Sequence, residues 1–330
     1  MKDVITLVVE KPLVLRELAP TVSTRWPSTT VYAITTRYLG LYEFRYPRGL
    51  RYDAFPFVGT PIWKPRSWQV PLVWKVDVGT ASPCNIEPCD ALREASEVWY
   101  AGAPDPSDAV TFHVLLSQCL GDEAAALPRP AIYLVDLRAE AINAAFDAPR
   151  NTKDEWFESI RHAGIARRYF DFNFNVNSLA LLGTALRDAG VTVSDFMMSK
   201  YSLQLLYWLA DDPHATFSSL IQAMQEWRGT GRYAPALLGS PASRVEIIQG
   251  LQDAGLAVPN AAGQVRLTST GRRFLQLLHP DCRDADLPAR MAEWERTWPE
   301  SRPKVESYIR TFFGKQKRFA KASTHTPRVG

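Results

Sequence analysis

Cysteine and histidine are scarce in this chain of 330 residues, which holds four of the first and five of the second. Cys84, Cys89, Cys119 and Cys282 are too few for a disulfide scaffold. Cys84 and Cys89 have no second Cys or His pair to complete a zinc site, so reduced thiols are expected. No apolar run approaches the roughly 20 residues that span a bilayer, which excludes a membrane helix. The N-terminus lacks the charged and apolar regions of a signal peptide, so a cytoplasmic location is expected.

Charge of either sign in excess is also missing from most of the chain. Residues 301–330 hold eight Lys/Arg against one acid, Glu306, while residues 1–300 hold 30 against 34. The net charge of +3 therefore comes from the C-terminal end. Residues 313–330 read as a basic flexible tail, whose Lys315, Lys317 and Arg318 would attract polyanions by counterion release. A solvated end with no partner is the competing reading. What is present is 46% hydrophobic residues and a mean hydropathy of -0.18, the composition of a soluble globular protein with two or three domains.

Two segments carry most of the information. Ile5-Thr6-Leu7-Val8-Val9-Glu10-Lys11-Pro12 and Val98-Trp99-Tyr100-Ala101-Gly102-Ala103-Pro104-Asp105-Pro106 each read as a buried strand ending in an acid and a proline. In an open α/β sheet, ligands gather at the carboxyl ends of the strands. Glu10 and Asp105, placed there, would share one divalent cation and hold phosphate. Residues 1–135 alternate strands and helices, which predicts a mostly parallel sheet flanked by helices. From residue 136 the periodicity is helical.

These segments resemble the Toprim domain of type IA DNA topoisomerases, most closely the topoisomerase III branch. That family has a strand ending in Glu-Lys-Pro and a later Ala-Gly-Asp-Pro-Asp-Arg-Glu-Gly. Here the second signature reads Ala101-Gly102-Ala103-Pro104-Asp105-Pro106-Ser107-Asp108, with Ala103, Pro106 and Ser107 replacing an Asp, an Arg and a Glu. The resemblance implies a Toprim-like α/β domain over 1–135 with a relic catalytic set of Glu10, Lys11 and Asp105. Glu10 and Asp105, with Asp108 as a further carboxylate, are its candidate Mg²⁺ ligands; the absence of a functional metal is the competing reading. The family's Gly-His pair after the second strand is replaced by Arg37-Tyr38.

The remainder resembles the same family in pieces. Arg167 to Asn177, including Arg168, is similar to the segment that opens the family's DNA-binding core, which implies a helical domain over 136–235. Of the family's Leu-Ser-x-Gly-Arg-Val-Gln-Thr-Pro motif only Ser194 stands, within Val193 to Tyr201. Leu238-Gly239-Ser240-Pro241-Ala242-Ser243-Arg244 is similar to Ile-Gly-Thr-Pro-Ala-Thr-Arg. Physically, Ser240 suits an N-cap and Pro241 the first helical turn. Free amides at that helix start, with Arg244 one turn on, would bind a phosphate. A helix, a turn at Gly255, a hairpin from Leu256 to Thr268 and a further helix then predict a winged-helix-like unit over 236–312, following a mainly α region. A purely structural helical module is the competing reading.

In the family a long arch carrying the nucleophilic tyrosine separates the last two motifs. Only the residues between Tyr201 and Gly239 separate them here, too few for an arch. Tyr46-Pro47-Arg48-Gly49 resembles the nucleophile motif but sits in the Toprim region and lacks the following Ser/Thr. The surrounding loop interleaves Tyr38, Tyr42, Tyr52, Trp63 and Trp68 with basic residues, a pattern suited to single strands or to a core.

The expected function is a catalytically inactive, topoisomerase-like protein that binds single-stranded or junction DNA, an accessory in DNA metabolism and, by the branch it resembles, of a mobile genetic element. Its candidate DNA contacts are Lys11, Arg168, Ser194, Ser240, Arg244, Lys315, Lys317 and Arg318. Two rivals stay open: a module that docks onto a topoisomerase, helicase or recombination partner, and a residual Mg²⁺-dependent phosphodiesterase using Glu10 and Asp105.

Overall fold

The computed structural model describes residues 3–36, 41–67, 70–193 and 196–325, with side chains as far as 322. They form two compact units, one of residues 1–45 and 62–165, the other of 46–61 and 166–330. The expected boundary at 135/136 thus falls inside the first unit.

The first unit is built on a seven-stranded sheet. In chain order its strands are β1 (Val4–Val9), β2 (Thr30–Thr35), β5 (Val73–Asp77), β6 (Thr80–Pro83), β7 (Glu97–Gly102), β8 (Pro130–Tyr133) and β9 (Arg150–Asn151). A short pair, β3 (Tyr42–Phe44) and β4 (Trp63–Pro65), stands apart. The spatial order is β6-β5-β2-β1-β7-β8-β9. The four central strands β2, β1, β7 and β8 are parallel; β5 and β9 pair antiparallel with them at the two sides, and β6 pairs antiparallel with β5. The parallel-rich sheet matches the expectation, and its antiparallel margins add to it.

Both faces of the sheet are covered, so its central strands need apolar residues at every position. Leu7 and Val9 of β1 pack with α1 (Pro12–Arg25) and α5 (Ala139–Asp147), in a cluster that includes Leu15, Trp99 and Phe146. Val8 faces the opposite cluster with Tyr100, Phe112, Leu115 and Phe157. That side carries α2 (Pro88–Glu94), α3 (Pro106–Leu120) and the short α4 (Asp122–Ala125). A disulfide joins Cys89 of α2 to Cys119 of α3, with Cα atoms 4.8 Å apart. This corrects the expectation of reduced thiols throughout: the two helices pack together, a proximity that a separation of 30 residues conceals. Cys84 and Cys282 are free.

The second unit is mainly helical. Helix α6 (Glu155–Asn177) begins among residues of the first unit and continues through a π turn, Ser178–Leu182, into α7 (Gly183–Ala189). Its Phe170 and Phe174 are fully buried in an aromatic core with Trp294, Tyr308 and Phe313, while Phe172, also fully buried, meets the rings of Tyr46 and Phe57. Asn173 and Asn177, also fully buried, grip the segment 46–61. Each amide side chain accepts from and donates to one backbone residue, Asn173 to Gly59 (2.7 and 2.9 Å) and Asn177 to Phe57 (2.7 and 2.7 Å). The asparagines thereby act as two rungs of a strand ladder, satisfying backbone groups that burial would otherwise leave unpaired.

Next come α8 (Lys200–Asp211), α9 (Phe217–Gln225) and α10 (Pro241–Asp253), then a hairpin of β10 (Ala257–Pro259) and β11 (Val265–Leu267). Thr216, before α9, bridges Gln264 in antiparallel fashion and widens the hairpin. Helices α11 (Ser269–Gln276), α12 (Leu287–Arg296) and α13 (Arg302–His325) close the chain. Helix α13 corrects the expected flexible tail through residue 325. Val305, Ile309, Phe312, Phe313 and Gln316 are buried along it, so apolar spacing of three and four carries it as an amphipathic helix.

Candidate functional site

Parallel pairing in register sets the ends of β1 and β7 side by side, Val9 against Ala101. Glu10 and Asp105 leave the sheet at this common edge. Lys11 sits at the N-cap position of α1, and its ammonium lies 3.0 Å from Glu10 Oε1 in an ion pair that lacks hydrogen-bond alignment. Asp105 is the N-cap of α3: its Oδ1 accepts from the amides of Ser107 (2.7 Å) and Asp108 (3.1 Å). Capping explains why an acid followed by proline starts a helix here without any metal.

Asp108, held in reserve as a ligand, is the more unusual group. It is 4% exposed, and Oδ2 accepts from the Ala103 amide at 3.0 Å. Its Oδ1 is buried without a hydrogen-bond partner. Burial, then the negative charge of Asp105, pushes its carboxyl up to about 7, against the lowering pull of the Ala103 amide. Tyr100 lies beneath it and donates to Ala103 O; burial raises its phenol well above the usual range. Among the described residues no cluster of three His, Cys, Asp or Glu side chains has the geometry to hold a metal. The donors nevertheless suit a hard cation, which needs only one or two carboxylates when phosphate supplies the rest. Asp105 caps the helix with Oδ1 alone, so Glu10 and Asp105, with Asp108 as a further carboxylate, are the residues that would hold it.

In the second unit Ser240 is the N-cap of α10, as expected, and accepts from the Ser243 amide. The free amides expected there are fewer than supposed. Pro241 has none, and those of Ser243 and Arg244 both turn back to Ser240 O. Arg244 is not an exposed contact; it is 3% exposed. It shares the inward stripe of α10 with Ile248 and Leu251, at the spacing of one helix face. Its Nε is buried with no hydrogen-bond partner, and its guanidinium forms no ion pair among the described residues. Gly239, at φ 80°, lets the chain pass beside it; a Cβ there would lie 3.1 Å from Ser243 Oγ and 3.8 Å from Arg244 Cγ. The Arg244 stem therefore lies against the start of the helix.

The other candidate contacts divide. Arg168 is an internal ion-pair member, 3.3 Å from Asp171, which Lys200 also holds. Burial pushes the Asp171 carboxyl up, but these two cations outweigh it and leave it below its usual value. Lys315 pairs with Asp281, and Lys317 donates to Phe55 O (2.6 Å) and Asp53 O (3.2 Å). Arg318 alone of these three is exposed and without an ion pair among the described residues. Ser194, Arg37, Tyr38 and Trp68 lie outside the described residues. Tyr46 is stacked on Phe172, with centroids 5.9 Å apart, and its hydroxyl accepts from Asn175 at 3.0 Å. It belongs to the second unit's packing. The loop Trp227–Ala236 is not among the expected contacts, although Arg228-Gly229-Thr230-Gly231-Arg232-Tyr233 signals a turn rich in basic and aromatic groups.

No family model and no curated protein matches the chain. Among solved structures, a full-length topoisomerase I from Thermotoga maritima is similar at a TM-score of 0.34 and 14% identity. The match covers 62% of this chain and 29% of that one, a likeness too slight to assign a family. No helix among the described residues is long and apolar enough to cross a membrane.

Proposed function

We propose that this protein binds nucleic acid phosphates through the start of α10, within a winged-helix-like arrangement on a type IA topoisomerase-like scaffold without the cleaving arch. The carrying observation is Arg244, a buried cation that forms no ion pair among the described residues. A buried, unpaired charge is costly, and a phosphate at the helix start would relieve that cost. The order α8, Thr216 bridge, α9, α10 and hairpin supports the winged-helix reading. Fluorescence anisotropy with labelled single-stranded and duplex DNA, over a salt series, tests it. Arg244→Met keeps the volume and removes the charge; it should weaken binding of both DNAs by about tenfold or more. Unchanged affinity in that variant would remove α10 from the interface.

One observation favours the protein-docking alternative. The exposed face of α10 carries Ala242, Val245, Glu246, Gln249 and Asp253 and no cation, so it lacks the charge that a groove-reading helix needs. Contact with nucleic acid is therefore assigned to the helix start and not to its outer face, which is left for a protein partner. Co-purification that Glu246→Lys abolishes, with DNA affinity unchanged, would support that division. For the residual phosphodiesterase, Glu10 and Asp105, with Asp108 as a further carboxylate, would hold Mg²⁺, which would supply the charge that polarises a phosphate. Plasmid nicking abolished by Glu10→Ala is its test.

A further inference from the structure

We propose that the loop Trp227–Ala236 is a preformed binding site for single-stranded nucleic acid, in which Tyr233 stacks on a base and Arg228 and Arg232 hold the flanking phosphates. The loop is closed at its base by a bridge between Trp227 and Ala236, with the Ala236 amide 2.9 Å from Trp227 O. It is pinned from below at a second level. Trp227, 6% exposed, donates its indole N–H to Ala285 O at 2.6 Å. Asp286, also 6% exposed, accepts from the Thr230 amide and the Thr230 hydroxyl, both at 2.7 Å.

Gly229 permits this fixation. It has φ 57°, and a Cβ there would stand 2.4 Å from Asp286 Oδ1 and 3.0 Å from Ala285 O. A loop this firmly held would ordinarily use its side chains for packing. Here residues 228–233 are all exposed. Neither Arg228 nor Arg232 forms an ion pair among the described residues, and Tyr233, 40% exposed, meets no other ring. The carboxylate beneath the loop, Asp286, is hydrogen-bonded to Thr230, and the charges of Arg290 and Arg232 act on it only at longer range than an ion pair. Backbone order with idle basic and aromatic side chains is the arrangement that lowers the entropy cost of binding. A ring beside two guanidinium groups suits a base with its phosphates, and only an unpaired strand offers a base face to an exposed ring.

This inference rests on the nucleic-acid reading of α10, which begins shortly after the loop closes, and its test separates the two. Affinities for labelled oligo-dT and for a blunt duplex are measured at several salt concentrations. Tyr233→Ala should weaken oligo-dT binding about tenfold and leave the duplex unchanged, while Tyr233→Phe should retain wild-type affinity. The Arg228→Ala/Arg232→Ala double variant should weaken both and flatten the oligo-dT salt slope by about 1.4. All three side chains are exposed, so the fold should persist, as circular dichroism will report. Loop variants that match wild type while Arg244→Met loses affinity would overturn the loop site and keep the α10 reading. Equal losses on both DNAs in Tyr233→Ala would overturn its single-strand character, and a wild-type chain that binds neither DNA would overturn both readings.

Discussion

In the sheet-based unit Arg16, Arg25, Lys64, Arg93, Arg150 and Lys153 each lie against an acid; the helical unit has its own pairs, such as Arg167–Glu295 and Lys200–Asp171, but between residues 187 and 273 Arg187, Arg228, Arg232, Arg266, Arg272 and Arg273 form no ion pair among the described residues. Exposed pairs add little stability, so the difference is not one of robustness. It is one of outward field. Paired charges cancel within a Debye length, while unpaired ones of one sign repel each other and attract polyanions. The chain's formal net charge of +3 hides this division.

The largest effect should come from the grip on residues 46–61. An Asn173→Ala/Asn177→Ala double variant strands the amides and carbonyls of Phe57 and Gly59, at a cost of about 3–6 kcal/mol. Urea denaturation reads the loss, and hydrogen exchange at those two amides should accelerate ahead of the sheet. If sheet amides accelerate equally, the two units are not separable in stability.

Reduction of the Cys89–Cys119 bond, or Cys89→Ser, should cost the first unit about 2–4 kcal/mol, because the bond closes a loop between residues 30 apart. Exchange protection in α12 and α13 should stay as it was. Arg244→Met acts in the opposite sense. Replacing an unpaired buried cation by an apolar chain should stabilise the second unit by about 1–2 kcal/mol while DNA affinity falls. A destabilised variant would mean that the arginine is already satisfied within the fold.

The smallest effect is a pH dependence confined to the first unit. Burial, then the Arg161 charge, lowers His113 from 6.5 to about 4, against Asp122 and Glu158, with His162 adding to the lowering. The unfolded chain binds this proton below 6.5 and the folded chain only below about 4. The His113 contribution to stability should therefore rise as pH rises from about 4 to 6.5 and be constant above it, while Asp108, raised to about 7 in the fold, contributes with the opposite sign between 3.8 and about 7. In His113→Gln, followed by thermal melts, the rising contribution should vanish, so that the difference in stability between wild type and variant changes between about pH 4 and 6.5 and is constant above.

Much of the sheet was legible because its strands are buried on both faces. Unbroken β-branched and aromatic runs such as Val4–Val9 leave few alternatives, and Asp105-Pro106 marks a helix start by local chemistry alone. The hairpin between Leu256 and Thr268 was legible for a similar reason, since Asn260 folds its own loop by accepting from Ala262 and Gln264. Helix α13 is carried by the spacing of Val305, Ile309, Phe312 and Phe313, a pattern that its interleaved basic residues obscure in the sequence. The site was legible only in part. Ser240 as a cap follows from residue type, yet the burial of Arg244 depends on what packs against the helix.

Local sequence determined which segments become strands and helices and where several of them begin, because those choices depend on side-chain periodicity and on capping groups a few residues away. The tertiary structure alone decided that Cys89 meets Cys119, that residues 46–61 join the helical unit, and that Arg244 turns inward while the Arg228–Tyr233 loop is held outward. Those outcomes rest on contacts between residues far apart in the chain. Only packing specifies them, since burial and the loss of water set the energy of each partner group.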